Sequence, residues 1–269
     1  MIRDDRRQPT SPRVVSMNDS TPPEGREIRV SVCMATYRGE PFVREQLESI
    51  LAQLNDHDEV VVVDDASPDG TASVVEGISD PRVKLVKSTS NKGYVRTFEE
   101  AVRMSRGQYV FLSDQDDVWA PGRVELMLKA LSSHLVVASN FDMHGSAGRP
   151  WIPRLRSSDS GRHLANLGAI LVGVRAYYGC GMAFRREAVS YFLPIPSYVR
   201  ESHDLWLAIC GNIAGSIAHL DESTIYRRLH DENQTPAGWR SLPKIIAARV
   251  MLLRLMTEAI LRKRNQKKA

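Results

Sequence analysis

Six acidic side chains fall in two short clusters that could do chemistry. Asp64-Asp65-Ala66-Ser67-Pro68-Asp69-Gly70-Thr71 follows one apolar run, and Ser113-Asp114-Gln115-Asp116-Asp117 follows another. Three carboxylates within four residues repel one another and lose hydration when crowded, an arrangement made tolerable by a cation among them. Hard oxygen donors of this kind suit Mg²⁺ or Mn²⁺ bridging to a diphosphate. A lone D-x-D is more often a helix N-cap or a solvated turn, and Asp69-Gly70-Thr71 reads as a turn into a helix. Asp114, Asp116 and Asp117 are set apart by following an internal strand. Glu201-Ser202-His203-Asp204 and Arg228-Leu229-His230 are two further polar groups downstream.

The elements that must position these residues are legible in the hydrophobic pattern. Ile28 to Ala35 alternates and is rich in β-branched residues, and the turn Arg38-Gly39-Glu40-Pro41 follows it. Val43, Leu47, Ile50, Leu51 and Leu54 recur at helical spacing before the run Val60 to Val63. This is a βαβ unit, and the alternation continues. A turn and short helix are expected at 67–77, strands at 83–86 and 109–112, and a helix at 97–106. A helix at 122–131 and a strand at 135–138 follow. Continuous apolar strands alternating with helices imply a mostly parallel α/β sheet covered on both faces, with ligands bound outside the carboxyl ends of its strands. Residues 144–178 show no clear period and read as a mobile loop or substrate lid. Regular structure is expected again at 179–184, in helices near 186–192 and 204–210, and in a strand at 223–229. Trp119 reads as a core anchor, and Cys180, between Gly179 and Gly181, as packing rather than a nucleophile.

A length of 269 residues with 42% hydrophobic content supports a sizeable core. Residues 1–27, with four prolines and balanced charge, read as a disordered leader without a signal-type apolar stretch. No run of about 18 apolar residues marks a membrane span. Three cysteines without C-x-x-C spacing fit a reducing cytoplasm. The net charge is +4 overall, but residues 240–269 alone sum to +8 and residues 28–239 to −4. That balance excludes a nucleic-acid-binding body and confines any attraction to an anionic surface to a basic C-terminal helix over 240–269. Within this helix Leu242, Ile246, Leu253 and Ile260 share a face, although Arg249 intrudes and Met251 and Leu255 lie opposite. Peripheral contact with the inner face of a cell membrane and ordinary packing on the domain are both open.

Met34-Ala35-Thr36-Tyr37, Asp64-Asp65-Ala66-Ser67-Pro68-Asp69-Gly70-Thr71, Asn91-Lys92-Gly93 and Ser113-Asp114-Gln115-Asp116-Asp117-Val118-Trp119 resemble, in order and spacing, the family 2 glycosyltransferases of GT-A fold. The likeness runs from about Ile28 to Asn233. The Ser113–Trp119 form of the acidic loop, with Asn91–Glu99 upstream and Tyr178–Phe184 downstream, is most similar to rhamnosyltransferase-like members that build surface polysaccharides. The resemblance implies a domain over 28–239, with a nucleotide-sugar-binding half at 28–140 and an acceptor half at 141–239. It implies that Thr36 and Tyr37 line the nucleoside pocket and that Asp65, beside Asp64, accepts a uracil or thymine imide hydrogen bond. Asn91, Lys92 and Gly93 would border the donor, and Asp114 would lie near the sugar or ribose. Asp116 or Asp117 would bind the metal. Asp204, with Glu201 in reserve, would be the base of an inverting transfer, its alternative being a helix N-cap. Arg228 would steady the diphosphate, and His230 would serve as phosphate donor or metal ligand, or be structural. His203 stands where the broader family has Glu, which leaves its role open.

The implied reaction moves a sugar, rhamnose from dTDP-rhamnose or otherwise the sugar of a UDP donor, onto a saccharide or lipid-linked saccharide. A dinucleotide oxidoreductase is excluded because the first turn lacks G-x-G-x-x-G. A sugar-phosphate nucleotidyltransferase would bring a Gly-rich basic loop there, which Arg38-Gly39 does not supply. A non-catalytic nucleotide-sugar-binding subunit would be signalled by loss of Asp114, Asp116 or Asp204, and all three are present.

Overall fold

The computed structural model describes residues 27–144, 153–228 and 241–266. Residues 1–26 of the expected leader and His230 lie outside the described residues. The first half alternates as the apolar runs require: β1 (Val30–Thr36), α1 (Val43–Leu51), β2 (Glu59–Asp64), α2 (Thr71–Glu76), β3 (Val83–Lys87), α3 (Tyr94–Met104) and β4 (Tyr109–Ser113). A two-residue strand β5 (Val118–Trp119), α4 (Arg123–Leu131) and β6 (Val136–Met143) follow. The second half contains α5 (His163–Val172), β7 (Met182–Arg185), α6 (Val189–Phe192), α7 (His203–Ala214), β8 (Ile217–Arg227) and α8 (Leu242–Gln266).

The eight strands form one sheet in the order β3-β2-β1-β4-β7-β6-β8-β5. β1 to β4 are mutually parallel, and β6 pairs parallel with β8, while β7 and β5 run antiparallel to their neighbours. Alternate residues of β1 and β2 face opposite layers, as the pleat demands. Val30, Val32, Met34, Val60 and Val62 pack with α1, α2 and α4. Cys33, Val61 and Val63 pack with α3, α7 and α8. Helices therefore cover both faces of a mostly parallel sheet, as expected.

Register decides where the chemistry gathers. Thr36 is level with Asp64, and Met34 with Ser113, so the residues following β1, β2 and β4 share one edge. β7 runs antiparallel to β4, with Ala183 opposite Phe111, so the one-turn helix Gly179–Gly181 that precedes it sits at that same edge. The end of β8 reaches it too, since Tyr226 pairs with Val118 just beyond the acidic loop.

Two expectations need correction. The segment 144–178 is not a continuous loop: α5 lies within it, preceded by a short 3-10 turn at Ser157–Asp159. Only Asn166 and Ile170 of α5 are buried, while Leu164 and Val172 face outward, so its apolar residues do not mark one inward stripe and no period is visible. The last strand begins at Ile217, six residues before the expected start, because paired partners on β6 extend it.

Candidate active site

Asp114, Asp117 and Cys180 bring one ligand atom each within 4.8 Å of one another. Asp117 is buried; its Oδ1 accepts a hydrogen bond from the Arg228 backbone N–H at 3.3 Å, and its buried Oδ2 has no hydrogen-bond partner among the described residues. Burial, with the Asp116 charge beside it, pushes the Asp114 carboxyl up to about 6. Burial, with the Asp114 and Asp116 charges, pushes Asp117 up to about 7. Two crowded carboxylates with an orphaned oxygen fit a divalent cation, which would relieve both effects. The Cys180 thiol is driven well above its ordinary range, first by burial and then by these carboxylates, so it stays protonated and packs rather than ligates. Asp116 is half-buried on the same loop but outside this trio.

The balancing charge comes from a residue that pattern reading missed. The Arg227 guanidinium lies 4.9 Å from the Tyr178 ring centre and 5.4 Å from that of Phe141, and its attraction to Asp114 and Asp117 opposes their rise. Arg228, singled out from the sequence, instead pairs its guanidinium with Glu45 at 2.7 Å and lies over the Phe42 ring. The only available signal was strand alternation. Ile225 is buried and Tyr226 exposed on β8, which turns Arg227 back toward the protein. Beneath the trio, the fully buried Arg123 donates to the Cys180 carbonyl at 2.6 Å and to the Thr224 hydroxyl, tying α4, β8 and the Gly179–Gly181 turn together.

On the opposite side of the edge, Asp64 is consumed by local structure: Thr36 Oγ1 donates to it at 3.0 Å, and Ser67 donates through both its N–H and its hydroxyl. Asp65 is buried, and its two oxygens accept the Lys92 N–H at 2.9 Å and the Gly93 N–H at 2.8 Å. It thereby braces the Asn91–Gly93 loop, where Gly93 adopts φ 83, a conformation that favours glycine. Each Asp65 oxygen keeps one further lone pair for a donor group. Tyr37 is partly exposed, and its backbone is clamped by Gln115, which accepts its N–H and donates to its carbonyl, both at 2.8 Å. The middle residue of the D-x-D is thus a brace between the first and fourth strand ends. A Cβ at Gly39 would run into the Gln115 side-chain amide, which would have to leave its clamp on Tyr37 to make room. Asp69 accepts hydrogen bonds from Thr71, as the turn reading expects. Trp119 is buried in the core.

Asp204 stands in the first turn of α7, but Ser202 occupies the cap position, so the N-cap alternative does not apply. One Asp204 oxygen accepts the Leu205 N–H at 2.7 Å. Burial raises its carboxyl to about 7, with Asp114 adding to the rise and Arg227 opposing it. Glu201 is exposed. His203 is buried against Phe98, with ring centres 4.5 Å apart, and edge-on to Tyr94. Burial lowers its pKa to about 4, so the ring is neutral, and neither nitrogen has a partner among the described residues. A Cβ at Gly179 would lie 2.8 Å from its Nε2. Among the described residues the three non-glycine positions with positive φ are Arg38, Ala66 and Ser202. Each directly flanks a segment of this site, as strained backbone tends to do.

A mixed, mostly parallel α/β sheet flanked by helices, with carboxylates gathered at its carboxyl edge, defines this as a protein of the GT-A type. Staphylococcus aureus TarS 1–349 in complex with UDP-GlcNAc has this fold, with a TM-score of 0.66 over 87% of this chain and 72% of that one at 17% identity. The mannosyltransferase PcManGT of Pyrobaculum calidifontis, in complex with GDP-Man and Mn²⁺, gives 0.58 over 90% and 75% at 22% identity. The chain belongs to Glycosyl transferase family 2, whose profile matches residues 31–192. It is 24% identical over 213 residues to an uncharacterised glycosyltransferase of Nostoc sp., covering 77% of this chain and 66% of that one. It is 29% identical over 102 residues to the Escherichia coli UDP-Glc:alpha-D-GlcNAc-diphosphoundecaprenol beta-1,3-glucosyltransferase WfgD, covering 38% and 40%. These matches span two thirds or less of the relatives' own lengths.

Proposed function

We propose that the chain is an inverting, divalent-metal-dependent transferase that moves a sugar from a nucleoside-diphosphate donor to a saccharide or lipid-linked saccharide in surface-polysaccharide synthesis. The observation that carries it is the convergence, at one sheet edge, of the Asp114–Asp117 pair, Arg227 and a half-buried Asp204. A bound Mg²⁺ or Mn²⁺, held by Asp117 and Asp114 with Asp116 alongside, would supply Lewis-acid stabilisation to the departing diphosphate. Arg227, and Arg228 from the adjoining position, would add positive charge where the leaving group gathers negative charge. Thr36, Tyr37 and Asp65 would hold the nucleoside, with the Asn91-Lys92-Gly93 loop closing beside it. Asp204 would take the proton from the acceptor hydroxyl as that oxygen attacks the anomeric carbon opposite the leaving group. A carboxyl raised to about 7 suits a base working near neutral pH.

The best donor candidate is dTDP-rhamnose, on the resemblance of the acidic loop, with a UDP-sugar next. The similar solved structures hold UDP-GlcNAc in one case and GDP-Man in the other. Among the described residues no helix is long and apolar enough to cross a membrane, and the proposed setting is the cytoplasmic side of one. Thermal-shift titration with UDP-, dTDP- and GDP-sugars, with and without Mn²⁺, tests the reading. Metal-dependent stabilisation by a uracil or thymine nucleotide-sugar is expected, and preference for GDP-sugars would contradict the role given to Asp65.

A further inference from the structure

Twelve large hydrophobic side chains are exposed among the described residues, and nine of them fall on α8 or on α5 and its exit. Six are on α8: Leu242, Ile246, Val250, Leu253, Ile260 and Leu261, all at least 42% exposed. Their spacing of three, four or seven residues, with Leu261 adjoining, puts them on one stripe. The opposite side of α8, Leu252, Leu255 and Ala259, is buried against the core. Packing therefore already uses one apolar face, and this second face is surplus to the fold. Val172 and Val174 extend it, because Arg249 of α8 donates to the Val172 carbonyl at 2.7 Å and holds the end of α5 against α8.

Cations border the stripe. Arg249 lies along one margin, Arg254 along the other, and exposed Arg264 at its end, while Glu258 is turned to Arg262 at 2.9 Å. An outward apolar stripe with basic margins is the signature of a helix lying in a bilayer interface. A second copy is the poorer occupant: a two-fold contact would set α8 against α8 and bring the same arginines face to face. We propose that α8 and the end of α5 form a docking face that lays the chain on an anionic phospholipid surface. Arg262 of α8 stacks over Trp206 of α7 at 5.0 Å, two residues from Asp204, so the docking face lies one helix layer from the proposed base. On the proposed function this would bring a lipid-linked acceptor to the site; the docking itself does not depend on the donor assignment.

The test is co-sedimentation of the full chain with phosphatidylcholine vesicles, with and without phosphatidylglycerol, at low and high salt. Binding is expected only with phosphatidylglycerol and should weaken with salt. The triple variant Ile246→Ser, Val250→Ser and Leu253→Ser should lose on the order of a hundredfold in partitioning, taking about fivefold per half-immersed side chain. Arg264→Gln, at the end of the stripe, should lose roughly fivefold. Both variants should keep the wild-type melting temperature and nucleotide-sugar binding, because these side chains are exposed. No wild-type binding to anionic vesicles, or equal binding by the triple variant, would overturn the proposal. So would a wild-type dimer in sedimentation velocity that the triple variant abolishes, since that assigns the face to a second copy.

Discussion

Replacing Asp204 by Asn separates stability from activity at one residue. Burial raises this carboxyl from 3.8 to about 7, so the folded chain holds the proton more tightly than the unfolded chain does. The unfolded group ionises near pH 4, and from there stability declines as pH rises until the folded group has also ionised near 7. Above that the full penalty is present, with a ceiling of about 4 kcal/mol, because each tenfold difference in proton affinity between the two states is worth about 1.4 kcal/mol. Asn keeps an oxygen for the Leu205 N–H and never carries the charge. In EDTA, without donor, Asp204→Asn should be more stable than the parent by about 2–4 kcal/mol near pH 8, an advantage falling to under about 2 kcal/mol near pH 5. Denaturant unfolding at several pH values measures this directly. The same variant should bind nucleotide-sugar normally and lose about 10²–10⁴-fold in transfer, as removal of a general base does. Parent activity should rise with pH through about 7. A variant that is destabilised by the same amount at every pH would refute the burial argument, and wild-type transfer would move the base to Glu201.

Other substitutions probe the remaining parts of the edge. Asp116→Asn and Asp117→Asn should each abolish metal-dependent donor stabilisation in a thermal-shift titration while the apo protein stays folded; Asp117→Asn should raise apo stability at neutral pH, since its buried charge is removed. Asp65→Ala should lower stability by about 1–3 kcal/mol, because the Lys92 and Gly93 N–H groups lose their acceptor, and should raise the donor KM more than it lowers kcat. Gly179→Ala should destabilise by about 1–3 kcal/mol through its clash with His203, and a double-mutant cycle with His203→Ala should recover most of that loss.

The parts of this molecule that were legible in the sequence are those whose signal is local. β1, α1 and β2 follow from an alternating run, a helical spacing and an apolar run, and all three are buried as that pattern requires. The acidic loop was legible because its position after β4 puts it at a sheet edge whatever the rest does. Arg227 was not, and neither was the closeness of Cys180 to Asp114 and Asp117, since both depend on β7 running backwards between β4 and β6 and on β8 returning beside β6. Those pairings join residues far apart in the chain, and no periodicity encodes them. Gln115 was hidden for a different reason: as the middle of a D-x-D it looks like a spacer, and only the fold shows its amide meeting both backbone groups of Tyr37. α5 escaped notice because its apolar side chains serve two surfaces, with Ile170 turned to the core and Leu164 and Val172 turned out. The same division runs along α8, whose imperfect amphipathicity in the sequence resolves into two apolar faces, one packed and one exposed. A single-face template fails on such a helix because it has a second face to fill, and the mismatch is then itself evidence for an outside partner.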